Sequence, residues 1–244
     1  TEVNNLNTAR DNCTSTSEGT STASLAFMGG TPAPNTAKTE LWDGSSWTEV
    51  GDLNTGRSNM AGAGTATAAI SAGGGISPGS PNNTAINETW DGSSWTEAGD
   101  LNQARREVAG LGISTAALAV SGATGPPLHN LVESWDGSNW TDVGELNEGR
   151  YFNSAAGTQT AGITFSGDPG SPFTANTETY DGTSWTEVNN LNTARSTGGG
   201  AGTQTSALMI TGYTPSYVAN TEQWDGTSWT EVADVATARN RPGS

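Results

Sequence analysis

The chain has 244 residues, long enough for one large all-β domain or two small ones. Its formal net charge is −16, from 25 acidic and 9 basic residues, which excludes nucleic-acid binding and disfavours anionic membranes, because both need a basic surface. No apolar run approaches the length of a membrane-spanning helix. The single cysteine, Cys13, excludes a disulfide framework and a cysteine-based zinc site.

The chain opens with a decapeptide that returns near its end. Residues 1–10 and residues 186–195 both read TEVNNLNTAR, and residues 230–239 are a drifted copy, TEVADVATAR. These copies end repeat units, so we predict a surplus half-repeat at 1–10 followed by five full repeats at 11–57, 58–105, 106–150, 151–195 and 196–239. Because the chain begins inside a repeat, we expect it to be part of a longer protein.

A six-residue aromatic motif occurs once in each full repeat. It reads aromatic, Asp, Gly, Ser or Thr, Ser or Asn, Trp. Asp-Gly favours a tight turn, since glycine adopts positive φ without strain and aspartate caps the bend. The motif therefore predicts a hairpin whose two flanking rings face each other, worth roughly 0.5–1.5 kcal/mol beyond their buried area. We predict ten core aromatics: Trp42, Trp47, Trp90, Trp95, Trp135, Trp140, Tyr180, Trp185, Trp224 and Trp229.

Each repeat has the pattern of four short strands. In the second repeat we predict them at 59–66, 67–73, 86–90 and 94–98. The first strand is rich in Gly and Ala, which suits a crowded axis where another backbone comes close. The second is more apolar and ends in glycine, the third carries a glutamate two residues before its aromatic, and the fourth begins with the second Trp.

Four short strands per period of about 45 residues are typical of a propeller blade. We therefore predict an all-β fold over residues 1–244: a single five-bladed β-propeller with four-stranded antiparallel blades. The glycine-rich strand, the apolar strand ending in glycine, and the aromatic-Asp and Trp positions together resemble the Kelch repeat. The Kelch double glycine is kept only at Gly29-Gly30 and within residues 73–75. Residues 181–195 also resemble repeats in structural and tail proteins of marine bacteriophages.

Six of the nine basic residues close the repeats at equivalent positions: Arg10, Arg57, Arg105, Arg150, Arg195 and Arg239. They could form a cationic ring that binds an anionic sugar or a phosphate. Alternatively, each could pair with the repeated glutamate of its own or the adjacent blade. We favour structural ion pairs, because a planar guanidinium suits a carboxylate. The predicted glutamate partners are Glu40, Glu88, Glu133, Glu178 and Glu222.

Nothing in the sequence indicates an active site. Most acidic residues occupy repeat-equivalent positions, and the five that do not show no spacing suited to acid–base catalysis: Asp11, Glu18, Glu107, Glu148 and Asp168. His129 is the only histidine, which excludes a histidine-cluster metal site. We therefore expect no enzyme activity, no catalytic residues, no metal site and no cofactor.

The loops between the second and third strands differ most among the repeats. They carry proline, asparagine and serine, together with aromatic residues that the core does not use. A rigid scaffold that presents variable loops is typical of binding modules. We predict four candidate ligand-binding residues there: His129, Phe173, Tyr213 and Tyr217.

The sequence thus favours a non-catalytic recognition propeller on a phage or other extracellular particle, with a glycan or cell-surface receptor as its partner. A purely structural or decoration domain is the alternative, and a five-bladed glycoside hydrolase is a more distant one. We expect residues 229–233 to form the outer strand of the last blade, because their hairpin is local. The surplus residues 1–5 then lie along an edge, fray, replace the C-terminal copy, or join another molecule and promote oligomers.

Overall fold

Twenty short strands form the described part of the protein. The computed structural model describes residues 4–30, 35–76, 82–125 and 130–240. In chain order the strands are β1 Thr14–Ser15, β2 Ser24–Phe27, β3 Thr39–Trp42, β4 Trp47–Glu49, β5 Ala61–Thr65, β6 Ala68–Ala72, β7 Asn87–Trp90, β8 Trp95–Ala98, β9 Ala109–Ile113, β10 Ala116–Val120, β11 Val132–Trp135, β12 Trp140–Asp142, β13 Ser154–Thr158, β14 Ala161–Phe165, β15 Thr177–Tyr180, β16 Trp185–Val188, β17 Gly199–Thr203, β18 Ser206–Tyr213, β19 Tyr217–Trp224 and β20 Trp229–Val232.

The strands group into five antiparallel sheets of four, each joined in simple sequence order. Blade 1 is β1–β4, blade 2 is β5–β8, blade 3 is β9–β12, blade 4 is β13–β16 and blade 5 is β17–β20. The first strand of every blade borders a central channel and the fourth lies outermost. The predicted five-bladed β-propeller is confirmed.

The aromatic motif folds as a hairpin between the third and fourth strands. In blade 2, Asp91 Oδ1 accepts backbone N–H bonds from Ser93 at 2.8 Å and Ser94 at 2.9 Å. Gly92 has φ 98°, which lets the chain reverse. Trp90 pairs with Trp95 across the strands, with ring centroids 5.5 Å apart. Each of the other four blades repeats the aspartate bonds and the aromatic pair.

Glycine on the innermost strands allows neighbouring backbones to approach. A Cβ added at Gly110 of β9 would lie 2.4 Å from the carbonyl oxygen of Gly62 on β5. A Cβ at Gly200 of β17 would lie 2.9 Å from Ser154 Cβ on β13. Both distances are too short for a real side chain, so the crowded axis predicted from the glycine-rich strands is present.

The contact between adjacent blades, here called a seam, holds most of the hydrophobic core. At the seam of blades 1 and 2, Trp95 packs against Phe27 with centroids 5.0 Å apart, and its indole N–H donates to Thr39 Oγ1 at 3.0 Å. The described residues form four buried clusters, one at each of the four seams from blade 1 through blade 5. Nine of the ten predicted core aromatics are buried, and Trp47 is half-buried.

The two ends of the chain meet at the fifth seam, between blades 5 and 1. Strand β20 pairs with β19 as the outer strand of blade 5, as its local hairpin predicts. Residues 4–10 lie along blade 1, where Asn4 Nδ2 donates to Ser45 O at 2.7 Å and Asn7 Nδ2 donates to Trp47 O at 2.7 Å. Residues 1–3 fall outside the described part of the chain.

The hairpin aspartates should titrate at unusually low pH. Backbone N–H and serine hydroxyl donors lower the pKa of Asp43 and Asp91 from 3.8 to about 2. A pKa lower in the folded than in the unfolded state stabilises the fold above pH 3.8, and this contribution is lost as pH falls toward 2. We expect carboxyl titration by NMR to give midpoints near 2 for both residues. Midpoints near 3.8 would show that the turn bonds are not formed in solution.

Candidate functional site

Five arginines are buried against five glutamates at the seams. The structure brings Arg57 within 3.0 Å of Glu88, Arg150 within 2.5 Å of Glu178, and Arg195 within 2.6 Å of Glu222, and it also pairs Arg105 with Glu133 and Arg10 with Glu40. In each pair both side chains are 0–1% exposed. Each arginine reaches the glutamate of the blade that follows it, which settles the choice between own and adjacent blade.

In the pair of Arg105 and Glu133, further polar atoms also have partners. Arg105 donates Nε–H to Ser121 O at 2.9 Å and Nη2–H to Ala119 O at 3.1 Å. Glu133 accepts the backbone N–H of Asn102 at 2.6 Å. These bonds offset part of the desolvation cost of this buried ion pair. The other four arginines each have a buried Nε–H without a hydrogen-bond partner among the described residues: Arg10, Arg57, Arg150 and Arg195. The enclosed guanidinium groups are not available to an anionic ligand, so a cationic ring for sugar or phosphate is not formed by these five residues.

Burial lowers the pKa of Arg57 to about 10, although Glu88 acts in the opposite direction. Burial also lowers the pKa of Arg150 and Arg195, which Glu178 and Glu222 partly counter. Arg57 therefore remains a cation at neutral pH.

The pairing predicted for Arg239 is not formed. Its side chain is exposed, and among the described residues no carboxylate lies within ion-pair distance. The glutamate that a closed ring would offer it is Glu40, and Arg10 occupies that glutamate. The prediction failed because residues 1–10 and residues 230–239 are copies of the same segment, and only one of their arginines can pair with Glu40.

The channel mouth and the variable loops lie on one face, here called the loop face. Five non-glycine residues with φ of 52–60° lie there, each two residues before an inner strand: Asn12, Asn59, Glu107, Phe152 and Thr197. Their backbones link blades, as when Glu107 N–H donates to Asn59 O at 2.6 Å. The cavity that they line has a volume of about 130 Å³. Because ligand pockets span about 300–1,000 Å³, a larger ligand would have to bind on the surrounding surface.

Three of the four predicted ligand-binding residues come together on this face. The ring centroid of Phe173 from blade 4 lies 5.7 Å from that of Tyr213 of blade 5, and the ring centroids of Tyr213 and Tyr217 are also 5.7 Å apart. Both pairs have edge-to-face geometry. Tyr217 is 57% exposed. We call these three residues the aromatic surface. The fourth candidate, His129, lies outside the described residues.

Blade 5 differs locally from the other blades, and this difference positions the aromatic surface. Strands β18 and β19 have eight residues each and pair as far as Tyr213 and Tyr217, with only residues 214–216 between them. A register shift between Ile210 and Gly212 lets this longer hairpin form. The second strands of blades 1–4 end at the equivalent of Ile210, and beyond them blades 1 and 2 have single bridges, Gly30 to Asn35 and Gly75 to Asn83. Among the described residues, blade 5 alone continues both strands as a ladder as far as Tyr213 and Tyr217.

Two aromatic residues on the same face were missed by sequence reasoning. The ring centroids of Tyr151 and Phe152 lie 4.8 Å apart, and Tyr151 Oη donates to Asp168 Oδ2 at 3.1 Å. Burial, followed by Asp168, raises the pKa of Tyr151. Asp168 also accepts the N–H groups of Gly170 and Ser171, so it anchors the loop that carries Phe173. Tyr151 and Phe152 directly follow Arg150, where the other repeats have small or polar residues. This difference in the sequence could have identified them as candidate surface residues.

The acidic residues outside the repeat pattern mostly serve local contacts. Glu148 accepts a bond from Asn176 Nδ2 at 3.0 Å, and Glu107 lies 3.2 Å from Arg106 Nε. Partial burial raises the pKa of Glu18. Within the described ranges, no group of three or more His, Cys, Asp or Glu residues is arranged to hold a metal ion. None of the described residues belongs to a helix long and apolar enough to cross a membrane.

Comparison of the chain with models of known families gives no match, and a search of curated proteins gives no significant match. The five-bladed architecture is therefore established by the structure, and the relation to Kelch and phage repeats remains a prediction.

Replacement of a buried arginine should destabilise the fold. Arg150→Ala leaves Glu178 buried without its cation, so we expect the free energy of unfolding to fall by about 3 kcal/mol. Arg150→Lys keeps the charge but loses the planar fork and should cost less. Urea unfolding followed by tryptophan fluorescence measures both changes.

Arg106→Ala is the matched control, because Arg106 is 29% exposed beside Glu107. We expect a change of no more than about 1 kcal/mol there. Equal effects of Arg150→Ala and Arg106→Ala would contradict a structural role for the buried pair.

Proposed function

We propose that this protein is a non-catalytic recognition module that binds an uncharged glycan on its loop face. The observation that carries the proposal is the aromatic surface of Phe173, Tyr213 and Tyr217. Tyr217 is exposed and Tyr213 is half-buried, and a tyrosine ring offers a flat apolar face and a hydroxyl group in one side chain. A sugar ring is complementary to this, because it has an apolar C–H face edged by hydroxyl groups.

The aromatic surface is held in place before any ligand arrives. Tyr213 and Tyr217 are fixed by strand pairing, and Tyr213 also exchanges two backbone bonds with Ser196 at 3.0 and 2.8 Å. The loop of Phe173 is anchored by Asp168. Tyrosine has few rotatable bonds, so little side-chain entropy would be lost on binding.

The charge distribution favours an uncharged ligand over an acidic one. The net charge is −16, and among the described cations all but Arg239 lie beside a carboxylate. An acidic sugar approaching the loop face would therefore be repelled by the acidic surface and would find few available cations.

We extend the proposal to a location on a phage or other extracellular particle. Its support is the resemblance of residues 181–195 to phage repeats and the strongly acidic composition, which suits solubility on an exposed surface. Binding in this role needs no reaction, consistent with acidic residues that occupy repeated structural positions.

A glycan array tests the proposal. We expect the wild-type protein to bind a subset of uncharged glycans, and Tyr217→Ala to bind them at least about tenfold more weakly, since loss of a tyrosine that contacts the ligand can cost ~2 kcal/mol. Sialylated and uronic-acid glycans on the same array should give weaker signals than their uncharged counterparts.

Ile113→Ala is the matched control for this experiment. Ile113 is 46% exposed at the hairpin between β9 and β10, on the face opposite the loops. The Ile113→Ala variant should bind the same glycans as the wild-type protein with the same affinity. No binding to any glycan would favour a purely structural or decoration domain, and equal losses in the two variants would remove the aromatic surface as the site.

A further inference from the structure

The fifth seam is built differently from the other four. At the seams of blades 2–3 and 3–4, the indole N–H groups of Trp140 and Trp185 are buried without a hydrogen-bond partner among the described residues. At the seams of blades 1–2 and 4–5, Trp95 and Trp229 donate theirs to Thr39 and Thr177 of the preceding blade. The equivalent residue of blade 5 is Thr221, whose Oγ1 is buried without a hydrogen-bond partner among the described residues. Trp47 of blade 1 instead donates to Asn4 O at 3.2 Å.

Apolar side chains along this seam are also incompletely covered. Leu208 and Ile210 of β18 are half-buried, whereas Ile163 and Phe165 at the equivalent positions of blade 4 are fully buried against blade 5. Trp47 is half-buried, whereas the matching Trp229 is 6% exposed. Blades 5 and 1 therefore do not cover each other as the other neighbours do.

The chain segment after each outer strand, here called the connection, explains the difference. In a closed seam one connection contacts both blades and its leucine is buried, as Leu53, Leu101, Leu146 and Leu191 are. The fifth seam holds two connections. Residues 4–10 contact blade 1 and residues 233–239 contact blade 5, and their apolar residues Leu6 and Val235 are each half-buried.

Residues 4–10 bind blade 1 as residues 189–195, of identical sequence, bind blade 5. Asn7 N–H donates to Glu40 Oε2 at 2.6 Å, and Asn192 N–H donates to Glu222 Oε2 at 2.7 Å. We call Glu40, with the carbonyl groups of Lys38, Ser45 and Trp47, the Glu40 site.

We propose that the Glu40 site is exchangeable: residues 233–239 can replace residues 4–10 there, and this exchange closes the fifth seam as the other four are closed. Arg239 is free to enter, because its side chain is exposed and no described carboxylate pairs with it. Residue 233 directly follows β20, so its effective concentration at the site is high.

The sequence explains why residues 4–10 hold the site. Asn4 and Asn7 each donate a side-chain bond to blade 1, and the C-terminal copy has Ala233 and Ala236 at those positions. The backbone N–H groups of residues 236 and 237 and the guanidinium of Arg239 remain able to bind Glu40. Restoring the two asparagines should therefore shift occupancy toward the C-terminal copy.

Hydrogen exchange measured by mass spectrometry on the full chain gives a direct test. In Arg10→Ala, and in the double variant Ala233→Asn with Ala236→Asn, we expect the amides of residues 234–239 to exchange at least about tenfold more slowly than in wild type. The amides of residues 5–9 should exchange faster. Unchanged protection of residues 234–239 in both variants would overturn the proposal.

Thermal unfolding supplies an independent test. Arg57→Ala is the control, because Glu88, the partner of Arg57, is bound by a single connection among the described residues. We expect Arg10→Ala to lower Tm less than Arg57→Ala, and Arg239→Ala to have little effect. Combining Arg10→Ala with Arg239→Ala should lower Tm by more than the sum of the single changes, since it removes both occupants. If the decrease in Tm of the double variant equalled the sum of the two single decreases, exchange of the two segments at the Glu40 site would be contradicted. A Tm that rises with protein concentration would show that a second copy fills the seam instead.

Discussion

The sharing of one connection between two blades is the constraint on which the rest of the structure depends. The connection that ends in Arg105 belongs to blade 2 by sequence, but its arginine is neutralised by Glu133 of blade 3. A buried ion pair offers little net stability, because desolvation of both charges offsets their attraction. The ion pair instead fixes the relative position of two blades. The buried arginine has a carboxylate partner only when the next blade is packed against it, so the position of each blade depends on the preceding one.

Two levels of organisation follow from this constraint. The aromatic hairpin is local, because six consecutive residues supply its turn, its aspartate cap and both rings. The seams are non-local, since residues such as Trp95 and Thr39 meet only when two finished blades pack. Each interior blade is thus held on both sides, and the end blades on one. The half-buried Trp47 and Ile210 mark the side on which this support is incomplete.

The sequence was informative where a feature repeats. The hairpin turns, the blade number and the glycine-rich inner strands could be predicted, because each depends on short-range chemistry that recurs at a fixed period. The partner of each arginine could not, because the spacing fits a glutamate of either blade. Arg239 was wrongly assigned, since sequence similarity does not reveal which of two equivalent segments binds first. Tyr151 was missed because its contact with Asp168 depends on how two loops meet.

The candidate binding surface lies where the repeat pattern is broken, and physical reasons favour that location. Near-identical repeats place near-identical side chains around an axis, whereas an asymmetric ligand needs groups that occur once. In this protein five of the six repeated arginines are enclosed at the seams, which leaves mainly aromatic and polar side chains to distinguish one ligand from another. The extended hairpin of blade 5 supplies two such aromatic residues, and the loop of blade 4 supplies the third. Because strand β18 carries both Tyr213 and the half-buried Ile210, the same departure from the repeat shapes the aromatic surface and borders the fifth seam.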